Sequence, residues 1–348
     1  MSTPTKRVVR FNLWIDPVFD AKLKAEADIE LTINAIAGSD AAAWAALERA
    51  HVYQISPAKN ELPKQWQATG TLLERCPDLL CVSSSGAGHD TVDVPACTRA
   101  GVAVVNQVGG NAIAVGEHAL GLMIALSRFI IESDRRLKTI RGFSREELMG
   151  HELHSQVLGI VGIGHTGQRT ATLARAFGME VLAVDPLLSA AEIQARGATP
   201  VDMPTLLARS DIVSLHCPRE PNTLNMFDER AFAAMKRGAL FISTARGGIH
   251  DEQALYAALK SGHLAGAGLD VWEPEPPPLD HPLLSLNNVI ATYHTAGVSH
   301  EGRRAVATMS ATQIIDVLHG VRPPRLANPD VWPAYTKRFK ARFGKAPV

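Results

Sequence analysis

The sequence predicts an α/β protein of two doubly wound parallel sheets, and three observations carry that expectation. Apolar, strand-like runs alternate with helical patterns twice along the chain, which specifies parallel strands covered by helices on both faces. A length of 348 residues is long for one core and fits about two domains. The second series opens on VLGIVGIGHTGQRTATLARAFGMEVLAVD, residues 157–185, which reads as strand, glycine turn, helix and strand.

In the first series, strands are expected at 8–14, 29–36, 51–55, 79–83 and 102–106, where Val, Ile and Leu dominate. Helices are expected between them at 17–27, 41–50 with Asp40 as N-cap, 64–76 and 94–100. Residues 115–136 read as one long apolar helix, with Gly116 and Gly121 permitting close packing. The second series places strands at 158–161, 181–184, 212–216, 240–244, 265–270 and 289–292. Its helices are expected at 166–177, 202–209, 229–235 and 252–260, and a further helix runs from Ser299 to Leu318. Two such sheets are expected to leave a substrate cleft between them. The tail from Tyr335, with Lys337, Arg338, Lys340, Arg342 and Lys345, reads as a solvated basic terminus.

Composition narrows the function classes. Lys+Arg and Asp+Glu both number 35, so the formal net charge is zero, which argues against a nucleic-acid or anionic-membrane partner. No apolar run reaches the ~18 residues of a membrane span, and the N-terminal segment shows no apolar leader. Cys76, Cys81, Cys97 and Cys217 lack C-x-x-C spacing and sit among apolar neighbours, as buried reduced thiols do. A cytoplasmic protein is expected. No metal site is expected: His151 and His154 in HELH lack the i, i+4 spacing of a zinc helix. Ser83 to Ser85 lack a G-x-S-x-G elbow, which removes a serine nucleophile.

The glycine pattern has a specific chemistry. Gly162 allows a tight turn, Gly164 lets backbone approach a pyrophosphate, and Gly167 lets the helix close onto the strand. The helix that opens there aims free N–H groups at phosphate. Asp185 ends the next strand, where a carboxylate accepts the ribose hydroxyls of NAD. Three further polar residues fall at strand ends of the second series: Arg246 after LFISTA, Glu275 beyond Asp270-Val271, and His294 at the end of NVIATYH. A guanidinium holds a carboxylate in bidentate fashion, an imidazole moves a hydroxyl proton, and an acid keeps that imidazole charged and oriented. Together they form the set that reduction of a 2-oxo acid requires.

The strings GIVGIGHTG, SLHCPREPNTLNMF, KRGALFISTARGGIHDEQALYAALKSGHLAGAGLDVWEPEPPP and NNVIATYHTAGVS resemble the D-isomer-specific 2-hydroxyacid dehydrogenases over nearly the whole chain. That resemblance implies a Rossmann NAD-binding domain at 107–298 and a flavodoxin-like substrate domain at 1–106 with 299–348. It implies NAD as cofactor, a small 2-oxo or D-2-hydroxy acid as substrate, and a two-fold homodimer. By it, Arg246, Glu275 and His294 match the catalytic residues. The cofactor would be met by Gly162, Gly164, His165, Thr166, Gly167, Asp185, His216, Cys217, Pro218, Thr223, Thr244, Ala245, Ala296 and Gly297. Asp270 matches the acid that holds the nicotinamide amide. The turn Ser85-Gly86-Ala87-Gly88 resembles the family's carboxylate loop, so the substrate would meet these residues with Arg246 and His294. Two departures stand out: Tyr293 and Thr295 flank His294 where the family usually has proline and an aliphatic residue, and Arg141-Gly142-Phe143 replaces a Gly-x-Trp arm. Related members oxidise phosphoglycerate, formate or phosphite, and others are NAD-sensing corepressors. Formate enzymes carry glutamine where this chain has Glu275.

Overall fold

The structure, a computed structural model, describes residues 4–347. The chain divides into two compact units, one comprising the chain up to Asn111 and again from His300, the other Ala112–Ser299.

In the first unit, strands β1 (Lys6–Phe11), β2 (Ile29–Asn34), β3 (Val52–Ile55), β4 (Cys81–Ser84) and β5 (Ala103–Val105) form a parallel sheet of order β2-β1-β3-β4-β5. Helices α1 (Val18–Lys24), α2 (Asp40–Leu47), α3 (Gly70–Arg75) and α4 (Val94–Arg99) make the crossovers. One apolar cluster, around Tyr53, Trp66 and Leu72, lies on one face of the sheet, and a second, around Phe19, Ile314, Tyr335 and Phe339, covers the other. Both faces are dry, which is why β3 and β4 are buried at every position.

The second unit opens with helices α5 (Ala112–Ser127) and α6 (Ile130–Thr139). Its strands are β6 (Val157–Val161), β7 (Glu180–Val184), β8 (Thr199–Pro200), β9 (Ile212–Leu215), β10 (Leu240–Ser243), β11 (Gly266–Leu269) and β12 (Val289–Ala291). They form a parallel sheet of order β12-β11-β10-β9-β6-β7-β8. Helices α7 (His165–Ala176), α8 (Ala190–Ala195), α9 (Met203–Arg209), α10 (Glu229–Ala234) and α11 (Glu252–Lys260) connect them. Strand order reverses between β6 and β9, so the crevice at their carboxyl ends is the expected ligand position in such a sheet. The chain closes in the first unit with α12 (His300–His319) and α13 (Trp332–Phe343).

Four local expectations are corrected. The helix expected at 115–136 is broken: Phe129 takes a left-handed conformation (φ 51°), and α5 and α6 meet at 56°. The Ser127 carbonyl accepts the His151 N–H at 2.8 Å, so a returning segment caps α5 where local propensity would continue it. The helix expected at 64–76 is a short 3-10 turn, Lys64–Trp66, followed by α3, because Ala68 leaves the helical path to bridge Val92. Ser39, not Asp40, caps α2: its hydroxyl accepts the Ala42 N–H at 3.4 Å. The basic tail is not a solvated terminus. It is α13, whose Tyr335 and Phe339 are fully buried, while Arg338 donates to the Ala100 carbonyl and Arg342 pairs with Asp78 at 2.9 Å. The polar face of α13 supplied the charges that dominated the sequence pattern. No single helix among the described residues is long and apolar enough to cross a membrane.

If α13 is part of the core, Phe339→Ala should cost about 3–5 kcal/mol of unfolding free energy in urea. A loss below about 1 kcal/mol would mean that the helix is only laid on the surface.

Candidate active site

The glycine turn between β6 and α7 is built for close approach. Gly162 has φ +85°, and a Cβ there would lie 2.7 Å from the Cys217 nitrogen on the neighbouring strand end. A Cβ on Gly167 would lie 2.2 Å from the Gly162 carbonyl oxygen, so only glycine lets α7 close on the turn. Gly164 is different: nothing lies within 4 Å of where its Cβ would be. It is also the N-cap of α7 and offers no side-chain acceptor to the helix's first N–H groups. Open space and unsatisfied donors at one helix N-terminus are what a pyrophosphate needs.

Across the crevice, the ends of β9 and β10 carry buried polar atoms without a partner among the described residues: His216 Nδ1, Ser243 Oγ and Thr244 Oγ1. Such atoms are normally satisfied by a ligand or water. His216 Nε2 meets Ser214 Oγ at 2.9 Å, and burial lowers this imidazole to about 4, so it stays neutral. The Cys217 thiol is pushed up to about 11 by burial. Pro218 is exposed and Ala245 buried. The Thr223 hydroxyl accepts the Glu220 N–H at 2.7 Å and donates to the Pro218 carbonyl at 2.8 Å, so it closes its own loop. Asp185 is half-buried at the end of β7; its carboxylate accepts the Ile163 N–H and the Leu187 N–H, both at 3.0 Å. These features fit a bound dinucleotide, with His165 and Thr166 as the first residues of α7 beneath it.

Arg246, Glu275 and His294 follow β10, β11 and β12, which are neighbours in the sheet. Adjacent strands lie about 4.8 Å apart, so three consecutive strand ends deliver the three side chains to one edge. The His294 Nδ1 lies 2.7 Å from Glu275 Oε1, with the two side chains 39% and 19% exposed, so the pair is shielded but reachable. Arg246 is half-buried, and its Nη1 donates to the Ala245 carbonyl at 2.7 Å.

Asp270 underlies this edge. It is fully buried; Oδ1 accepts the Thr292 hydroxyl at 2.6 Å and the Thr295 N–H at 2.8 Å, and Oδ2 accepts the Ala296 N–H at 2.9 Å. The Asp270 carbonyl accepts the His294 N–H at 2.7 Å. The turn wound about this carboxylate holds His294 at φ 48°, a left-handed conformation that a non-glycine residue keeps only when its surroundings enforce it. Gly297 is half-buried just beyond.

Sequence reasoning missed several supports of this edge. His118 Nε2 lies 3.1 Å from Thr292 Oγ1 and 3.9 Å from Asp270 Oδ1, and the Trp272 indole N–H donates to the Thr292 carbonyl at 3.0 Å. Trp272 lies within the string GLDVWEPEPPP, but nothing there marks its indole as a support, and a lone histidine in an apolar helix carries no spacing signal.

In the first unit, the turn Ser85–Gly88 follows β4. The Ser84 hydroxyl donates to the Gly88 carbonyl at 2.6 Å, and Pro57 packs where a Cβ on Gly86 would stand, 2.9 Å away. No acceptor is found for the Ala87 and Gly88 N–H groups among the described residues, which leaves both donors available to a ligand.

Residues 120–296 match the family model described as D-isomer specific 2-hydroxyacid dehydrogenase, NAD binding domain. A D-3-phosphoglycerate dehydrogenase of Archaeoglobus fulgidus is 38% identical over 257 residues, 74% of this chain and 49% of that protein. An (S)-sulfolactate dehydrogenase of Chromohalobacter salexigens is 40% identical over 72% of this chain and 81% of its own length. The chain thus spans about half the length of the phosphoglycerate dehydrogenases it matches and most of the sulfolactate enzyme. Among solved structures, the holo D-mandelate dehydrogenase of Rhodotorula graminis superposes with a TM-score of 0.81 at 28% identity, covering 93% of this chain and 98% of that one. With an NAD-binding domain matched over half its length and two doubly wound sheets, the chain belongs to the D-isomer specific 2-hydroxyacid dehydrogenase family.

Proposed function

We propose that this protein is an NAD-dependent oxidoreductase that interconverts a small 2-oxo acid and its D-2-hydroxy acid. The observation that carries the reading is the 2.7 Å contact between His294 Nδ1 and Glu275 Oε1, beside Arg246 on the adjoining strand ends. NAD, when bound, supplies or receives the hydride at C2. Arg246 holds the substrate carboxylate through its planar fork, and the Ala87 and Gly88 N–H groups are a second anion-holding element. Glu275 fixes the proton of His294 on Nδ1 and stabilises the imidazolium, which leaves Nε2 to give its proton to the carbonyl oxygen in reduction. In oxidation the same nitrogen takes the hydroxyl proton. Asp270 and the orphaned Thr244 hydroxyl are assigned to the nicotinamide end, and Asp185 to the adenosine ribose.

We assign the working form as a cytoplasmic homodimer. Ile130, Ile131, Leu137, Ile140 and Met149 are exposed along α6 and the strap after it, a row of apolar side chains of the kind a second subunit covers. All four cysteines are free, as in a reducing compartment.

Cofactor choice follows from Asp185. A carboxylate at the ribose repels a 2′-phosphate, and the guanidinium of Arg196 is engaged by the Ile163 carbonyl at 2.8 Å. NADH should exceed NADPH by at least about tenfold in kcat/KM; equal turnover would remove Asp185 from that role.

The acid–base pair makes a pH prediction. Reduction should fall as pH rises and the imidazolium loses its proton. In Glu275→Gln the fall should move to lower pH, because the neighbouring charge that favours imidazolium is gone. An unmoved profile in that variant would refute the pairing.

Substrate size and charge follow from the first unit. A small recess there is lined by Arg10, Leu13, Trp14, Ile55, Ser56 and Ser85, and the Arg10 guanidinium is already held by both carboxylate oxygens of Asp20, at 3.0 and 2.8 Å. The Ser56 hydroxyl donates to Glu61 Oε2 at 2.6 Å, while Lys59 and Lys64 are exposed. With Arg10 committed to Asp20, a phosphate beside the Glu61 carboxylate would be left uncompensated, at a cost on the order of several kcal/mol. An unphosphorylated 2-oxo acid such as glyoxylate, pyruvate or hydroxypyruvate should therefore outperform 3-phosphohydroxypyruvate in kcat/KM. A tenfold advantage for the phosphorylated compound would overturn this and point to Lys59 or Lys64.

A further inference from the structure

A second carboxylate–imidazole pair stands behind the first. Glu252, the first residue of α11, places Oε2 3.1 Å from His281 Nε2, and its Oε1 accepts the Glu273 N–H at 3.0 Å. The two side chains are only 12% and 14% exposed. Burial raises the Glu252 carboxyl above its ordinary value, opposed by the Glu273 N–H and by His281. Capping does not explain Glu252, because Asp251 already caps α11 by accepting the Gln253 and Ala254 N–H groups at 2.8 and 3.0 Å.

The pair grips two consecutive residues of the loop that carries Glu275. Glu252 holds the Glu273 backbone, and the His281 ring meets Trp272 edge-on with centroids 5.7 Å apart. Trp272 then reaches both halves of the inner pair. Its backbone N–H donates to Glu275 Oε2 at 3.4 Å, and its indole N–H donates to the Thr292 carbonyl, two residues before His294. Glu273, on the same loop, also bears on the Glu252 carboxylate and is itself bonded to Arg219 from the loop after β9.

We propose that Glu252 and His281 are positioning residues for the reaction, holding the Glu275 loop so that its carboxylate stays on His294. The inference rests on the assignment of His294 and Glu275 as the acid–base pair. Without the outer pair the loop relaxes, Glu275 withdraws, and the imidazolium loses its stabilising charge.

The test is the pH profile of reduction in the full-length enzyme. Glu252→Ala, which removes both contacts, should lower kcat by about tenfold and move the alkaline fall to lower pH, in the direction of Glu275→Gln. Glu252→Gln keeps an acceptor for the Glu273 N–H and should recover kcat to within about threefold of wild type. If Glu252→Ala does not fold, His281→Asn tests the same grip from its other side, with the same shift expected. A purely structural role would scale the active fraction and leave the profile in place. An unmoved profile beside a shifted Glu275→Gln profile overturns the positioning role alone; an unmoved Glu275→Gln profile overturns the acid–base assignment and this inference with it.

Discussion

The arrangement at the carboxyl edge of the second sheet depends on one buried carboxylate. Asp270 is fully removed from solvent, and a buried acid is tolerable only when its oxygens are hydrogen-bonded. Here a hydroxyl and two backbone N–H groups do this, all supplied by the short segment from Thr292 to Ala296. Satisfying the acid therefore dictates the path of that segment, and the path puts His294 in a left-handed conformation facing Glu275. The local strain at His294 is offset by these hydrogen bonds to the buried acid. In the proposed reaction this is the scaffold that keeps an imidazole and a carboxylate in register before any substrate arrives.

The cofactor crevice uses the opposite device, removal of side chains. At Gly162 and Gly167 a single Cβ would collide with backbone, so strand, turn and helix pack as closely as main chain allows. At Gly164 the missing Cβ leaves open space over the N-terminus of α7. The reversal of strand order between β6 and β9 sets this turn opposite the unpartnered polar atoms of His216, Ser243 and Thr244. One edge of one sheet thus provides an anion-receptive helix end and, three and four strands along, the two members of an acid–base pair.

Much of this was legible in the sequence because it is written at short range. The strand–helix alternation, the glycine spacing, and the three polar residues after successive strands each depend on a few neighbouring positions, and the sheet order turned them into one edge. What escaped was decided by contacts far apart in the chain. Nothing near Phe129 announces a break, since RFII continues the apolar pattern; the Ser127 carbonyl is capped by His151, which arrives from another segment. Ala68 leaves its helix to pair with Val92, and α13 is held by apolar side chains that alternate with lysines and arginines. The supports of the site were hidden for the same reason: His118 and His281 belong to no motif, Trp272 and Glu252 lie inside a family string without being marked there, and all four acquire meaning only through their partners.

In the proposed reaction the imidazole of His294 is the proton donor in an NADH-linked reduction. The most direct measurement is the rate of NADH loss with unphosphorylated 2-oxo acids for wild type and His294→Ala, together with the NADH affinity of each. The expected result is turnover by the wild type, a fall of about 10²–10⁴ in kcat for the variant, and unchanged NADH binding. A wild type that binds NADH but reduces none of these acids, or a variant as fast as wild type, would contradict it.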